Sequence, residues 1–98
     1  MSRVVDPEGA HLAALRRLVD FRGQRVIELG CGEGRLTVPV ARDATQVLAF
    51  DPDREAIERA RYALPADLAE CVEYRVASGT EIEVERGLFD LALFSWSL

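Results

Sequence analysis

The sequence predicts an α/β fold, a doubly wound parallel sheet with flanking helices, and three observations predict it. Short β-prone runs alternate with helix-patterned segments, a glycine cluster joins the first run to the helix after it, and the second run is almost wholly apolar. The 98 residues, 49% hydrophobic and 30% charged, suit a single domain spanning 1–98, because a second unit in so short a chain would have no core of its own.

The elements follow in order. Asp6-Pro7 reads as an N-cap with proline at the first helical position, and Leu12, Leu15, Leu18 and Val19 recur at three- and four-residue spacing, which predicts an amphipathic helix over about 7–20. Phe21-Arg22-Gly23-Gln24 stops it. Arg25-Val26-Ile27-Glu28-Leu29 is then a short strand that runs into Gly30-Cys31-Gly32-Glu33-Gly34. A second helix is expected over about 34–43, with Leu36, Val40 and Ala41 inward and Pro39 near the first turn, where its missing N–H costs least, with a small kink.

Gln46-Val47-Leu48-Ala49-Phe50 reads as a strand covered on both faces, and Asp51-Pro52-Asp53 ends it and caps a third helix whose buried stripe is Ala56, Ile57, Ala60, Ala63 and Leu64. After Pro65 come a turn-rich segment, a third strand Val72-Glu73-Tyr74-Arg75-Val76, a polar loop over about 77–87, and a fourth strand Phe89-Asp90-Leu91-Ala92-Leu93-Phe94. Such alternation implies right-handed crossovers and a ligand beyond the carboxyl ends of the strands.

Composition narrows the partners. The formal charge is −5, and the twelve basic residues are all arginine, which argues against broad attraction to nucleic acid or to anionic membranes. No apolar run approaches the roughly 20 residues of a membrane span, and the amino terminus lacks the apolar core of a signal peptide. Cys31 and Cys71 have no metal-ligand spacing, so a reducing, cytoplasmic setting without a bound metal is expected.

The chemistry concentrates after the first strand. Glycines at 30, 32 and 34 let the backbone turn sharply and approach a ligand without Cβ collision. Asp51 ends the next strand, where a carboxylate can accept hydrogen bonds from both hydroxyls of a ribose. The dinucleotide fingerprint G-x-G-x-x-G would need glycine at position 35, but Arg35 stands there, which leaves a nicotinamide-dependent enzyme as the least favoured alternative.

The pattern Glu28-Leu29-Gly30-Cys31-Gly32-Glu33-Gly34 with Phe50-Asp51-Pro52 resembles the class I, Rossmann-like methyltransferases that use S-adenosylmethionine (SAM). The resemblance runs from about Gly23 to the end, and Phe89 to Leu98, FDLALFSWSL, is similar to the strand that reaches the transfer site in that family. It implies a SAM-binding methyltransferase domain, with Gly30, Cys31 and Gly32 against the methionine part of the cofactor and Asp51, next to Pro52, on the ribose. Ser78 stands where relatives present an acid to the adenine amino group, a departure that backbone N–H groups near Gly79 can offset, and Ser95 and Trp96 fall where relatives line the transfer site. No catalytic base is identified.

Structural roles stand beside these. Glu28 suits two, a buried carboxylate satisfied by loop N–H groups or a contact near the SAM amino group. Gly34 fits close helix–strand packing, Asp53 a helix cap, Cys31 a small filler and His11 a solvated helix flank. The resemblance implies methyl transfer to an unidentified, small-molecule acceptor; a noncatalytic adenosyl-binding module is the alternative. Relatives continue for three more strands, so the chain reads as an amino-terminal portion truncated after the fourth strand. That leaves Leu88 to Phe94 as an open edge for a homodimer or a partner chain.

Overall fold

The computed structural model describes residues 3–5, 19–77 and 88–94, and these form a five-stranded sheet with helices packed on it. The strands are β1 (Arg3–Val5), β2 (Arg25–Leu29), β3 (Gln46–Asp51), β4 (Val72–Val76) and β5 (Leu91–Phe94). Helix α1 covers Thr37–Asp43, α2 covers Arg54–Ala63, and a single 3₁₀ turn covers Ala66–Leu68. The order across the sheet is β1-β5-β2-β3-β4, and every pairing is parallel, as the alternation of elements required.

Alternation along the strands sorts side chains into two cores. On one face Val26, Val47, Ala49, Val72, Tyr74, Leu91 and Leu93 pack with Val40 and Ala41 of α1 and with Ile57 and Ala60 of α2. On the other, Ile27, Leu48 and Phe50 pack with Leu29, Phe89 and Ala92. Val47 through Phe50 are therefore all buried, as expected for a strand covered on both faces.

Several expectations change. The expected first helix lies, except for its last two residues, outside the described residues. Arg3–Val5, which sequence patterning left unassigned, is a strand paired with β5 in the register Arg3↔Leu91, Val4↔Ala92 and Val5↔Leu93. The last strand is consequently not an edge: β5 lies between β1 and β2, and the route to a dimer through an open β5 is closed. It begins at Leu91, and Asp90 just before it is fastened to Arg25 at the start of β2: its N–H donates to the Arg25 carbonyl at 2.8 Å, and its carboxylate accepts the Arg25 backbone N–H and guanidinium at 2.8 and 3.3 Å.

Helix α1 starts at Thr37 and not near 34, because Gly34 has φ +87°, outside the helical region. Pro39 still falls in the first turn, where no intrahelical N–H bond is lost. In α2, Ala56, Ile57 and Ala60 are buried as expected, but Ala63 is exposed and Leu64 half-buried, since the helix ends at Ala63.

Candidate functional site

Strand β2 occupies the middle of the sheet. The chain winds from β2 through β3 to β4 on one side and then places β5 on the other, so the carboxyl end of β2 is the point where the winding reverses. Connections leave in opposite directions there and open a crevice, the usual ligand position in such sheets. The glycine loop between β2 and α1 sits at that point.

The β2–β3 register, ending in Leu29↔Phe50, brings the loop beside the end of β3. The Phe50 carbonyl accepts the N–H groups of Gly30 at 2.9 Å and Cys31 at 3.0 Å. Gly30 (φ +78°) and Gly32 (φ +56°) are in the left-handed region, which costs most side chains about 1–2 kcal/mol and glycine nothing. The loop then tightens as the Gly34 N–H donates to the Cys31 carbonyl at 3.0 Å.

Asp51 ties the two strand ends together. Its Oδ2 accepts the Gly32 N–H at 2.8 Å, and its Oδ1 accepts the Asp53 N–H at 2.8 Å. A carboxylate offers about four lone-pair positions. One on each oxygen remains for a pair of adjacent hydroxyls, with the carboxylate already oriented by the backbone. Pro52 is exposed beside it, and Asp53 is the N-cap of α2, accepting from the N–H groups of Glu55 at 3.0 Å and Ala56 at 3.3 Å.

Beneath the loop is a second polar layer. Glu28 is 1% exposed, and its Oε1 accepts the hydroxyl of Thr37, itself fully buried. Glu28 is thus a buried carboxylate, and its donor here is a threonine hydroxyl where loop N–H groups were expected. Tyr74 of β4 enters the same layer; its hydroxyl is enclosed with no hydrogen-bond partner among the described residues. Burial pushes the Tyr74 phenol up to about 12, and the neighbouring Glu28 charge reinforces the rise. Burial likewise pushes the Cys31 thiol well above its ordinary value, with the charges of Glu28 and Asp51 adding to the rise, which disfavours the reactive thiolate.

The structure therefore brings Glu28, Gly30, Cys31, Gly32 and Asp51 together at one strand end, with Pro52 alongside. Ser78, Gly79, Ser95 and Trp96 lie outside the described residues. Gly34 has the packing role expected of it: a Cβ there would stand 2.5 Å from the Tyr74 hydroxyl oxygen and 3.5 Å from the Ala60 Cβ. Thr37 and Tyr74 were missed, and the sequence carried one signal for Thr37. A carboxylate in a strand as apolar as Val26–Leu29 requires a buried donor, and Thr37 is a hydroxyl at the start of the next helix. Arg59 was missed as well; it bonds Glu33 of the loop at 3.0 Å and ties it to α2. An open groove of about 420 Å³ behind Gly34, lined by Val38, Pro39 and Arg59 among others, does not include Asp51. Among the described residues no group of acidic, histidine or cysteine side chains could hold a metal ion, and no helix is long and apolar enough to cross a membrane.

Comparison with known proteins gives the same answer from three directions. A family model described as a methyltransferase domain matches residues 26–98. The chain is 36% identical over 80 residues to the ubiquinone biosynthesis O-methyltransferase of Bradyrhizobium diazoefficiens, a match covering 81% of this chain and 30% of that one. It is 35% identical over 79 residues to the magnesium-protoporphyrin O-methyltransferase of Rhodobacter capsulatus, covering 81% and 34% respectively. Among solved structures, an S-adenosylmethionine dependent methyltransferase from Mesorhizobium loti superposes with a TM-score of 0.74 at 30% identity, over 84% of this chain and 38% of that one. The chain spans about a third of the length of these curated relatives.

Proposed function

The chain belongs to the methyltransferase-domain family, and from that premise we propose that it forms the SAM-binding part of a methyltransferase acting on a small-molecule acceptor. The observation that carries the reading is the Asp51 carboxylate, held by the Gly32 and Asp53 N–H groups at the end of β3 with acceptor capacity left on both oxygens. That arrangement matches the two hydroxyls of a ribose.

The residues present fit the rest of the cofactor as well. The turn at Gly30-Cys31-Gly32 has no Cβ at its two left-handed positions, so the methionine portion can approach the backbone closely. Ser78, Gly79 and Ser95 are proposed to face the adenine and the transfer site. SAM supplies, when bound, a methyl group on a positively charged sulfur. The tasks left to this chain are to hold the adenosyl part, orient the sulfur toward the acceptor and exclude water. A small-molecule acceptor is supported by the relatives named for ubiquinone biosynthesis and magnesium-protoporphyrin. A cytoplasmic setting is supported by the two free cysteines.

Calorimetric titration with S-adenosylhomocysteine, the demethylated product, tests the binding. One site is expected, and Asp51→Ala should weaken it about tenfold to a hundredfold, the loss of hydrogen bonds to a charged group. Equal affinity in the two proteins would remove Asp51 from the site.

A further inference from the structure

We propose that Thr37 is a positioning residue for the glycine loop, closing a buried clamp with Glu28 that fixes the shape the loop presents to its ligand. That the clamped loop serves a cofactor rests on the function proposed above; that the clamp holds the loop does not.

Glu28 is the fourth residue of β2, and Thr37 is the first residue of α1. The loop of Gly30 to Leu36 runs between them, so one hydrogen bond from the Thr37 hydroxyl to Glu28 Oε1 joins its two ends from below. Both side chains are shielded from water, and a hydrogen bond to a buried carboxylate is among the stronger ones a side chain can make.

The start of α1 lacks the usual means of holding a helix end. Its N-cap, Leu36, makes no side-chain hydrogen bond, and its first turn carries no acid. The bond from Thr37, the first helical residue, to Glu28 instead fastens that helix end to the neighbouring strand. Tyr74 completes the floor, since its ring end fills the space directly beneath Gly34. The loop is thus fixed from below by Thr37 and from the side by Asp51, which grips Gly32. These are independent fastenings, and only the second lies where a ligand would touch it.

The test is amide hydrogen exchange of Gly30 to Gly34 in the protein without ligand, on wild type, Thr37→Val, Thr37→Ser and Leu68→Ala. Valine keeps the shape and removes the donor, serine restores the donor, and Leu68→Ala lowers global stability from the 3₁₀ turn, away from the loop. Thr37→Val should speed loop exchange about tenfold or more, while Thr37→Ser and Leu68→Ala leave loop protection near wild type. Unchanged exchange in Thr37→Val, or equal acceleration in Leu68→Ala, would overturn the proposal.

Glu28→Gln covers the case in which Thr37→Val does not fold. It keeps an acceptor oxygen without the charge and should give a smaller acceleration in the same direction, and no acceleration overturns the clamp. Titration of the same proteins with S-adenosylhomocysteine separates the two readings. Absence of binding in wild type removes the cofactor assignment while the exchange result still decides the clamp. Binding that Thr37→Val weakens and Thr37→Ser restores connects them.

Discussion

Gly34→Ala is a severe test of the packing under the loop, because its cost has two separable parts. The backbone at Gly34 has φ +87°, and placing a Cβ there costs about 1–2 kcal/mol. The new methyl would also stand 2.5 Å from the Tyr74 hydroxyl oxygen and 3.3 Å from its Cζ. Tyr74 is buried and cannot swing clear, so overpacking adds about 1–3 kcal/mol. The expected total is about 2–5 kcal/mol, a large fraction of the roughly 5–15 kcal/mol that holds a domain together. Tyr74→Phe removes the colliding atom. Alone it should be neutral or slightly stabilising, because the hydroxyl it deletes is buried without a partner. In that background the nearest remaining atoms are 3.3 and 3.5 Å from the methyl, and Gly34→Ala should cost only the backbone part. Urea unfolding followed by far-ultraviolet circular dichroism on the four proteins of the cycle gives the coupling, expected at about 1–3 kcal/mol in favour of the double variant. A Gly34→Ala cost that is the same in both backgrounds would refute the collision with Tyr74.

Two further predictions follow from charge and burial. Hydrogen bonding by Arg25 holds the Asp90 carboxyl below its ordinary value, so the folded state binds its proton at lower pH than the unfolded chain does. The stabilisation is present above about pH 4 and is lost as pH falls through the folded-state value, so Asp90→Asn should lower the melting temperature at pH 7 and flatten its fall in acid. An unchanged acid limb in the variant would count against it. Cys31 is buried with its thiol shifted upward, while Cys71 is half-buried, so iodoacetamide at neutral pH should label Cys71 first; peptide mapping that finds Cys31 modified first would contradict the buried-filler role.

Much of this architecture is written in local pattern. The run Val47 to Phe50 and the alternation in Val72 to Val76 report how many faces each strand buries, and burial dictates their side chains. The left-handed turns at Gly30 and Gly32 are legible for the same reason, since few other residues adopt them. What escaped depends on contacts distant in sequence. Arg3–Val5 is too short to show a period, and nothing local indicates that it pairs with β5 at the other end of the chain. The Glu28–Thr37 bond needs the chain to double back around the loop before either residue reveals its partner. Ala63 looked like part of the apolar stripe of α2 but is the last residue of that helix, beyond the packed sheet face. Asp51 was legible as a ligand group through the strand-end rule, but not as the anchor of Gly32, which depends on the register between β2 and β3.

The central claim, that the glycine loop and Asp51 together enclose an adenosyl group, is tested most directly by following backbone amide resonances while S-adenosylhomocysteine is added. The Gly30, Gly32 and Asp53 N–H groups are bonded to Phe50 and Asp51, so ligand capture at this strand end should shift them first and furthest, to saturation. Saturating shifts confined to other regions, or none at concentrations up to the millimolar range, would contradict it.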